Sequence, residues 1–212
     1  MIDILLPATA AGFVVGFRHA FEPDHLAAVT TLATREAGWW RGMRLGVVWG
    51  VGHTVSIALV AVVLVVLGIG IPERFFAAAE LGVAALLVAL GVWTLWHERR
   101  RPEAAPDTAP DAAPTRVRTA SGALSFGVVH GLAGSGAVIV LLVAASNDRA
   151  VQAGYLAAFG IGTVLGMSLA SLLAGAATGF AAARNRTAAQ AIRIGAALLS
   201  IVAGLLLGSS LL

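Results

Sequence analysis

The sequence has no cysteine, no lysine and a single tyrosine. Without thiols, disulfides, thiolate metal sites and thiol redox chemistry are excluded. Charge is scarce as well. Asp, Glu, Lys and Arg make up 12% of the 212 residues, about half the share of a soluble domain. Nothing resembling a phosphate-cradling P-loop is present, which leaves nucleotide-driven steps without a site. What remains is 58% hydrophobic, with a mean hydropathy of +0.89, a composition whose solvent is lipid. The sequence pI of 10.9 points toward nucleic acid at first sight. All 14 basic residues are arginines, however, and most sit in a few short connectors. That distribution reports membrane topology and excludes a nucleic-acid face. Met-Ile-Asp at the start lacks the basic segment of a signal peptide, so the first apolar stretch is expected to be a retained helix.

A membrane-spanning helix takes about 20 mainly apolar residues. Six stretches meet that requirement: 3–34, 44–69, 75–96, 121–145, 151–182 and 190–211. The first is too long for one straight span. Arg35, Arg41 and Arg44 fall in the first connector and Arg74 alone in the second. Arg99, Arg100, Arg101, Arg116 and Arg118 fall in the third, Arg149 in the fourth, and Arg184 and Arg186 in the fifth. High and low counts alternate, which predicts connectors one, three and five in the cytoplasm and both termini outside. The chain reads as an all-α, multi-pass protein of the cytoplasmic membrane.

Residues 97–120, with Pro102, Pro106, Pro110 and Pro114, read as a linker without a core of its own. They separate residues 1–96 from 121–212, and the two segments resemble each other. His19 aligns with His130, Trp49-Gly50-Val51-Gly52 with Phe159-Gly160-Ile161-Gly162, and Gly82/Gly91 with Gly195/Gly204, at an offset between 109 and 113. Three helices per segment make the second copy enter from the opposite side. The expectation is a 3+3 inverted repeat, whose substrate site belongs at the repeat interface near the midplane. Gly12/Gly16, Gly46/Gly50 and Gly162/Gly166 form small-residue faces for close helix packing.

Ionisable groups at membrane depth are costly and mark function. The first stretch carries Arg18, His19, Glu22, Asp24 and His25 within eight residues. On an ideal helix His19 and His25 point about 120° apart and do not converge. Pro23 changes this: it lacks an N–H and its ring clashes with the His19 carbonyl, so the helix is expected to break there. The break makes Pro23 the first residue of a second half-helix and frees the His19 carbonyl as a possible oxygen ligand. At about 1.5 Å per residue, His25, His53 and His130 lie roughly 13–15 Å from the inner face, near the bilayer centre. Three histidines and a carboxylate at one depth compose a metal site. Imidazole suits Ni, Co, Cu and Zn, while the nitrogen-rich set argues against Mg or Ca. Trp39, Trp40, Trp93 and Trp96 read as interfacial belt residues, and His97 as solvated. Glu80 and Arg193 align between the repeats but are not expected to pair.

His19-Ala-Phe-Glu-Pro-Asp24-His25 is a His-x4-Asp-His motif and resembles the signature of the nickel/cobalt transporter family (NiCoT, within the wider NicO group). Gly52-His53-Thr54 is similar to that family's second motif. The stretch Gly127-Val-Val-His130-Gly-Leu-Ala-Gly-Ser135-Gly is similar to the second-half motif of its shorter, urease-cluster members. The resemblance implies divalent nickel or cobalt as transported substrate, with no permanent cofactor and no catalysis. It places metal contacts on His19, Asp24, His25 and His53, to which the depth reading adds His130. Glu22-Pro23 departs from the Asp-Ala of many importers, and six expected helices stand against eight in the best-known members. Family exporters often carry a His-rich cytoplasmic loop; 97–120 contains only His97, which favours uptake. Export, delivery of metal to a urease or hydrogenase without translocation, proton relay and an intramembrane metalloenzyme stay open as alternatives. So does a homo-oligomer or a metalloenzyme-maturation partner. No His-Glu-x-x-His is present for the metalloenzyme.

Overall fold

The computed structural model describes residues 2–34, 38–100, 119–133, 146 and 148–211, with the side chains of residues 2 and 3 left aside. Every regular element among them is helical: α1 (Ile2–His19), α2 (Pro23–Ala33), α3 (Trp39–Ala61), α4 (Glu73–Arg99), α5 (Ala120–Gly131), α6 (Arg149–Arg184) and α7 (Arg186–Ser209). A π-helical turn, Val62–Val66, continues α3. Four helical runs are long and apolar enough to cross a membrane: Trp39–Val66, α4, α6 and α7. A fifth is the pair α1–α2, bent by 58° at its break. The sixth expected stretch begins as α5; its continuation, 134–145, lies outside the described residues, as do 101–118 of the linker.

The helices begin before the apolar stretches, and α4 and α6 also run past their ends, because backbone hydrogen bonding continues beyond the lipid-facing residues. Thus α3 starts at Trp39, directly after Gly38, whose φ of 103° is open to glycine but strained for a side chain. Asn185 takes extended backbone between α6 and α7, and its Oδ1 accepts the Thr187 N–H at 2.8 Å to cap α7. Thr119 and Asp148 cap α5 and α6 in the same way.

Lipid is as apolar as a leucine side chain, so helices in it associate through close backbone approach and interhelical hydrogen bonds. Here α1 packs on α6, α3 on α5 and α6, α4 on α7, and α2 on α6 and α7. The glycine contacts come in matched pairs. Gly16 meets the Phe159 carbonyl and Gly127 the Trp49 carbonyl; Gly52 meets Leu124 and Gly162 meets Phe13; Gly91 meets Ala197 and Gly204 meets Ala84. A β-carbon on any of these six glycines would overlap the facing backbone oxygen. Hydroxyls add cross-links: Thr31 donates to the Ala196 carbonyl at 2.8 Å, Thr163 to Gly16 at 3.1 Å and Ser200 to Leu87 at 2.8 Å. Arg193 on α7 pairs with Glu98 on α4, Nε to Oε1 2.7 Å, both buried. Glu98 had no expected place in a span, since the apolar stretch stopped at 96. The hydrogen-bonded helix carries it on to face Arg193.

Candidate metal centre

The site is built on the break between α1 and α2. The chain leaves α1 in a tight turn, with the Phe21 N–H donating to the Arg18 carbonyl and the Glu22 N–H to the His19 carbonyl, both 3.0 Å. Glu22 is extended (φ −61°, ψ 148°), the conformation a residue before proline favours, and Pro23 opens α2. The expected break is therefore present. The His19 carbonyl, expected as a free oxygen, is taken up by the Glu22 N–H because the chain makes a tight turn before the helix restarts.

This turn places His19 at the C-terminus of α1, where the helix dipole favours positive charge, and Asp24 in the first turn of α2, where it favours negative charge. His130 lies in the last turn of α5, which closes in a matching way: Leu132 N–H to Val129 carbonyl at 3.3 Å, Ala133 N–H to His130 carbonyl at 3.1 Å. His53 comes from the middle of α3 and is fully buried, as is His25.

All five expected residues meet. The His25 ring lies at the centre, with centroids 4.1 Å from His130, 4.5 Å from His19 and 4.9 Å from His53. His19 Nε2 and His53 Nε2 are 3.1 Å apart. Asp24 bridges two rings, Oδ1 to His25 Nδ1 at 3.0 Å and Oδ2 to His130 Nε2 at 2.8 Å. With metal–nitrogen bonds of about 2.1 Å, two ligands of one ion stand roughly 3.0–3.4 Å apart, a range that holds His19–His53 and Asp24–His25, while Asp24–His130 is at hydrogen-bond distance. His25 Nε2, His53 Nδ1 and His130 Nδ1 are buried without a hydrogen-bond partner. Buried polar atoms in that state are rare; those of His53 and His130 lie opposite the Nε2 atoms that meet His19 and Asp24, which leaves His25 Nε2 as the one that invites a ligand here.

Three further neighbours lie outside the expected ligand set. Glu22, whose side chain is 44% exposed, holds His19 Nδ1 at 3.0 Å and so fixes which nitrogen faces the cluster. Trp49, fully buried, stacks near-parallel to His25 at 6.1 Å and packs on His130 at 5.6 Å, while Phe159 packs on His19 at 5.4 Å. The aligned Trp49/Phe159 pair carried that signal, but an aromatic in an apolar helix looks the same whether it walls a site or fills a core. The second-half motif beyond Ala133, including Ser135, lies outside the described residues.

A family model described as NicO, high-affinity nickel-transport protein, matches residues 6–114, a span that includes His19, Asp24, His25 and His53 but not His130. The urease accessory protein UreH of Bacillus sp. (strain TB-90) is 31% identical over 168 residues, 77% of this chain and 74% of that protein. No solved structure matches the chain. This multi-pass helical protein, with its histidine cluster on a broken helix, belongs to the NicO family of high-affinity nickel-transport proteins.

Proposed function

We propose that the protein is a permease of the cytoplasmic membrane that takes divalent nickel or cobalt into the cell, with His19, Asp24, His25, His53 and His130 as its transient coordination set. The observation that carries this is the convergence of four buried imidazoles and one carboxylate at the helix break. Nitrogen-rich borderline ligands suit Ni and Co, and an ion in transit needs a site it can leave. The ion is substrate, moved without chemical change. Uptake rests on the linker 97–120, which holds His97 alone where exporter loops are often His-rich. The arginine alternation puts connectors one, three and five in the cytoplasm and both termini outside.

The architecture that goes with this reading is a 3+3 inverted repeat, 1–96 against 121–212, joined by the 97–120 linker. The matched glycine contacts support it, because each pair maps onto its counterpart at an offset of 110 to 113 (16 to 127, 49 to 159; 13 to 124, 52 to 162; 84 to 197, 91 to 204). The equivalent turns after His19 and His130 do so as well. A site between such halves is where alternating access acts.

The name of the UreH relative supports a second reading, delivery of nickel to a urease partner without translocation. Radiolabelled nickel uptake into proteoliposomes separates the two. Wild-type protein accumulates the ion, and His19→Ala and His25→Ala each lose at least about 100-fold of that rate with the fold intact. A well-folded wild type that accumulates nothing in either orientation turns the choice to the accessory reading.

A further inference from the structure

We infer that the cluster is two overlapping stations sharing His25, between which a single divalent cation passes; this rests on the metal reading above. Ligand atoms of His19, His25 and His53 lie within 4.8 Å of one another, and so do those of Asp24, His25 and His130. These two sets have His25 alone in common. Their private ligands stand apart, the His53 and His130 rings being the most widely separated of the contacting histidine pairs at 5.8 Å. In each set one pair of ligand atoms stands close enough to face a single ion: His19 Nε2 and His53 Nε2 at 3.1 Å, Asp24 Oδ2 and His130 Nε2 at 2.8 Å.

His25 is equipped to serve both. Its Nδ1 lies 3.0 Å from Asp24, and its Nε2 is buried without a partner. Two dications at such separation, sharing one imidazole, repel each other strongly in a buried site. Occupancy is therefore one ion at a time. The stations also differ in chemistry. His19, His25 and His53 form a three-nitrogen set; Asp24, His25 and His130 bring a carboxylate in among the ligands themselves. Neither set fills the coordination sphere of a nickel ion, so each holds it without trapping it.

The elements divide in the same way. His19 and His53 belong to α1 and α3, His130 to α5, and α2 carries Asp24 and His25 between them. A shift of α5 against α1 and α3 changes which private ligands close on the ion, and His25 meets it in either station. The handover thus needs only a small displacement of packed helices.

The test uses purified full-length protein in detergent, titrated with Co2+ and followed by its visible d–d spectrum, with 63Ni equilibrium dialysis giving the stoichiometry. Wild type binds one ion per chain. His53→Ala and His130→Ala each still bind one ion, within about tenfold of wild-type affinity, with spectra that differ from each other. Both lose proteoliposome flux by more than about tenfold, since the ion is held but not handed on. His25→Ala loses binding itself, by about 100-fold or more. His53→Asn and His130→Asn replace the alanine variants if those fail to fold. Two ions per wild-type chain overturn the shared-ligand relay. So do equal losses of binding and identical spectra in the His53 and His130 variants, which mean one five-ligand site. A wild type that binds neither Ni2+ nor Co2+ is a different failure, taking the metal reading down as well.

Discussion

His19 has a partner on each ring nitrogen, Glu22 on Nδ1 and His53 on Nε2. An acceptor on Nδ1 fixes the tautomer that leaves Nε2 basic and aimed inward, which is how outer-shell carboxylates support metal-binding histidines. Glu22→Ala is expected to weaken nickel affinity about 10- to 100-fold, measured by isothermal titration. Glu22→Gln, which keeps an acceptor oxygen, falls between that variant and wild type. Because Glu22 is half exposed, the melting temperature stays near wild type; an unchanged affinity in Glu22→Ala removes it from the site. The ligand candidates were legible from residue type and depth, since several ionisable groups gathered at one level of a membrane are costly and mark function. Glu22's role was not, because its direction is set by a turn whose shape no spacing rule gives. Trp49 and Phe159 were hidden for the opposite reason: apolar side chains at apolar positions give no contrast.

At the scale of the element, the break between α1 and α2 converts a sequence cluster into a spatial one. His19 and His25 are six positions apart, and on a continuous helix their side chains diverge by about 120°. The turn at residues 20–22 and the 58° bend bring their rings to 4.5 Å instead. Pro23 enforces the break, since a continuous helix would need its missing N–H and would meet its ring. Pro23→Ala removes that obstacle, and alanine is favoured over proline by about 3 kcal/mol inside a helix. The variant is therefore expected to fold with an equal or higher melting temperature while losing nickel uptake by about 100-fold, measured in proteoliposomes beside a thermal melt. Uptake at the wild-type rate means the half-helices are held apart by packing alone, through Thr31 against Ala196 and the burial of α2 on α6 and α7. Pro23 made this break readable in advance. The helix ends were less so, because hydropathy follows lipid contact while the helix follows its hydrogen bonds. The Glu98–Arg193 pair went unseen for that reason.

Over the whole molecule, the matched glycine contacts and the arginine distribution bear on one question, which way each half faces. If the halves are inverted copies, the connector between α3 and α4 and the one between α6 and α7 lie on opposite sides of the membrane. Gly70 is exposed in the former and has no heavy atom within 4 Å of where a β-carbon would sit; Thr187 is exposed beside the latter. The native chain has no cysteine, so Gly70→Cys and Thr187→Cys each introduce a single thiol into a silent background. A membrane-impermeant maleimide applied to intact cells is expected to label Gly70→Cys, and to label Thr187→Cys only after permeabilisation. Arg74 alone accompanies the first position, whereas Arg184 and Arg186 flank the second, as the positive-inside rule requires. The reverse labelling pattern keeps the inverted repeat but turns the protein over, placing the 97–120 linker outside. Labelling of both from one side is incompatible with three crossings in 70–187, since an odd number must separate the two positions. That outcome ends the 3+3 architecture and leaves the glycine pairs as packing between helices of unrelated halves.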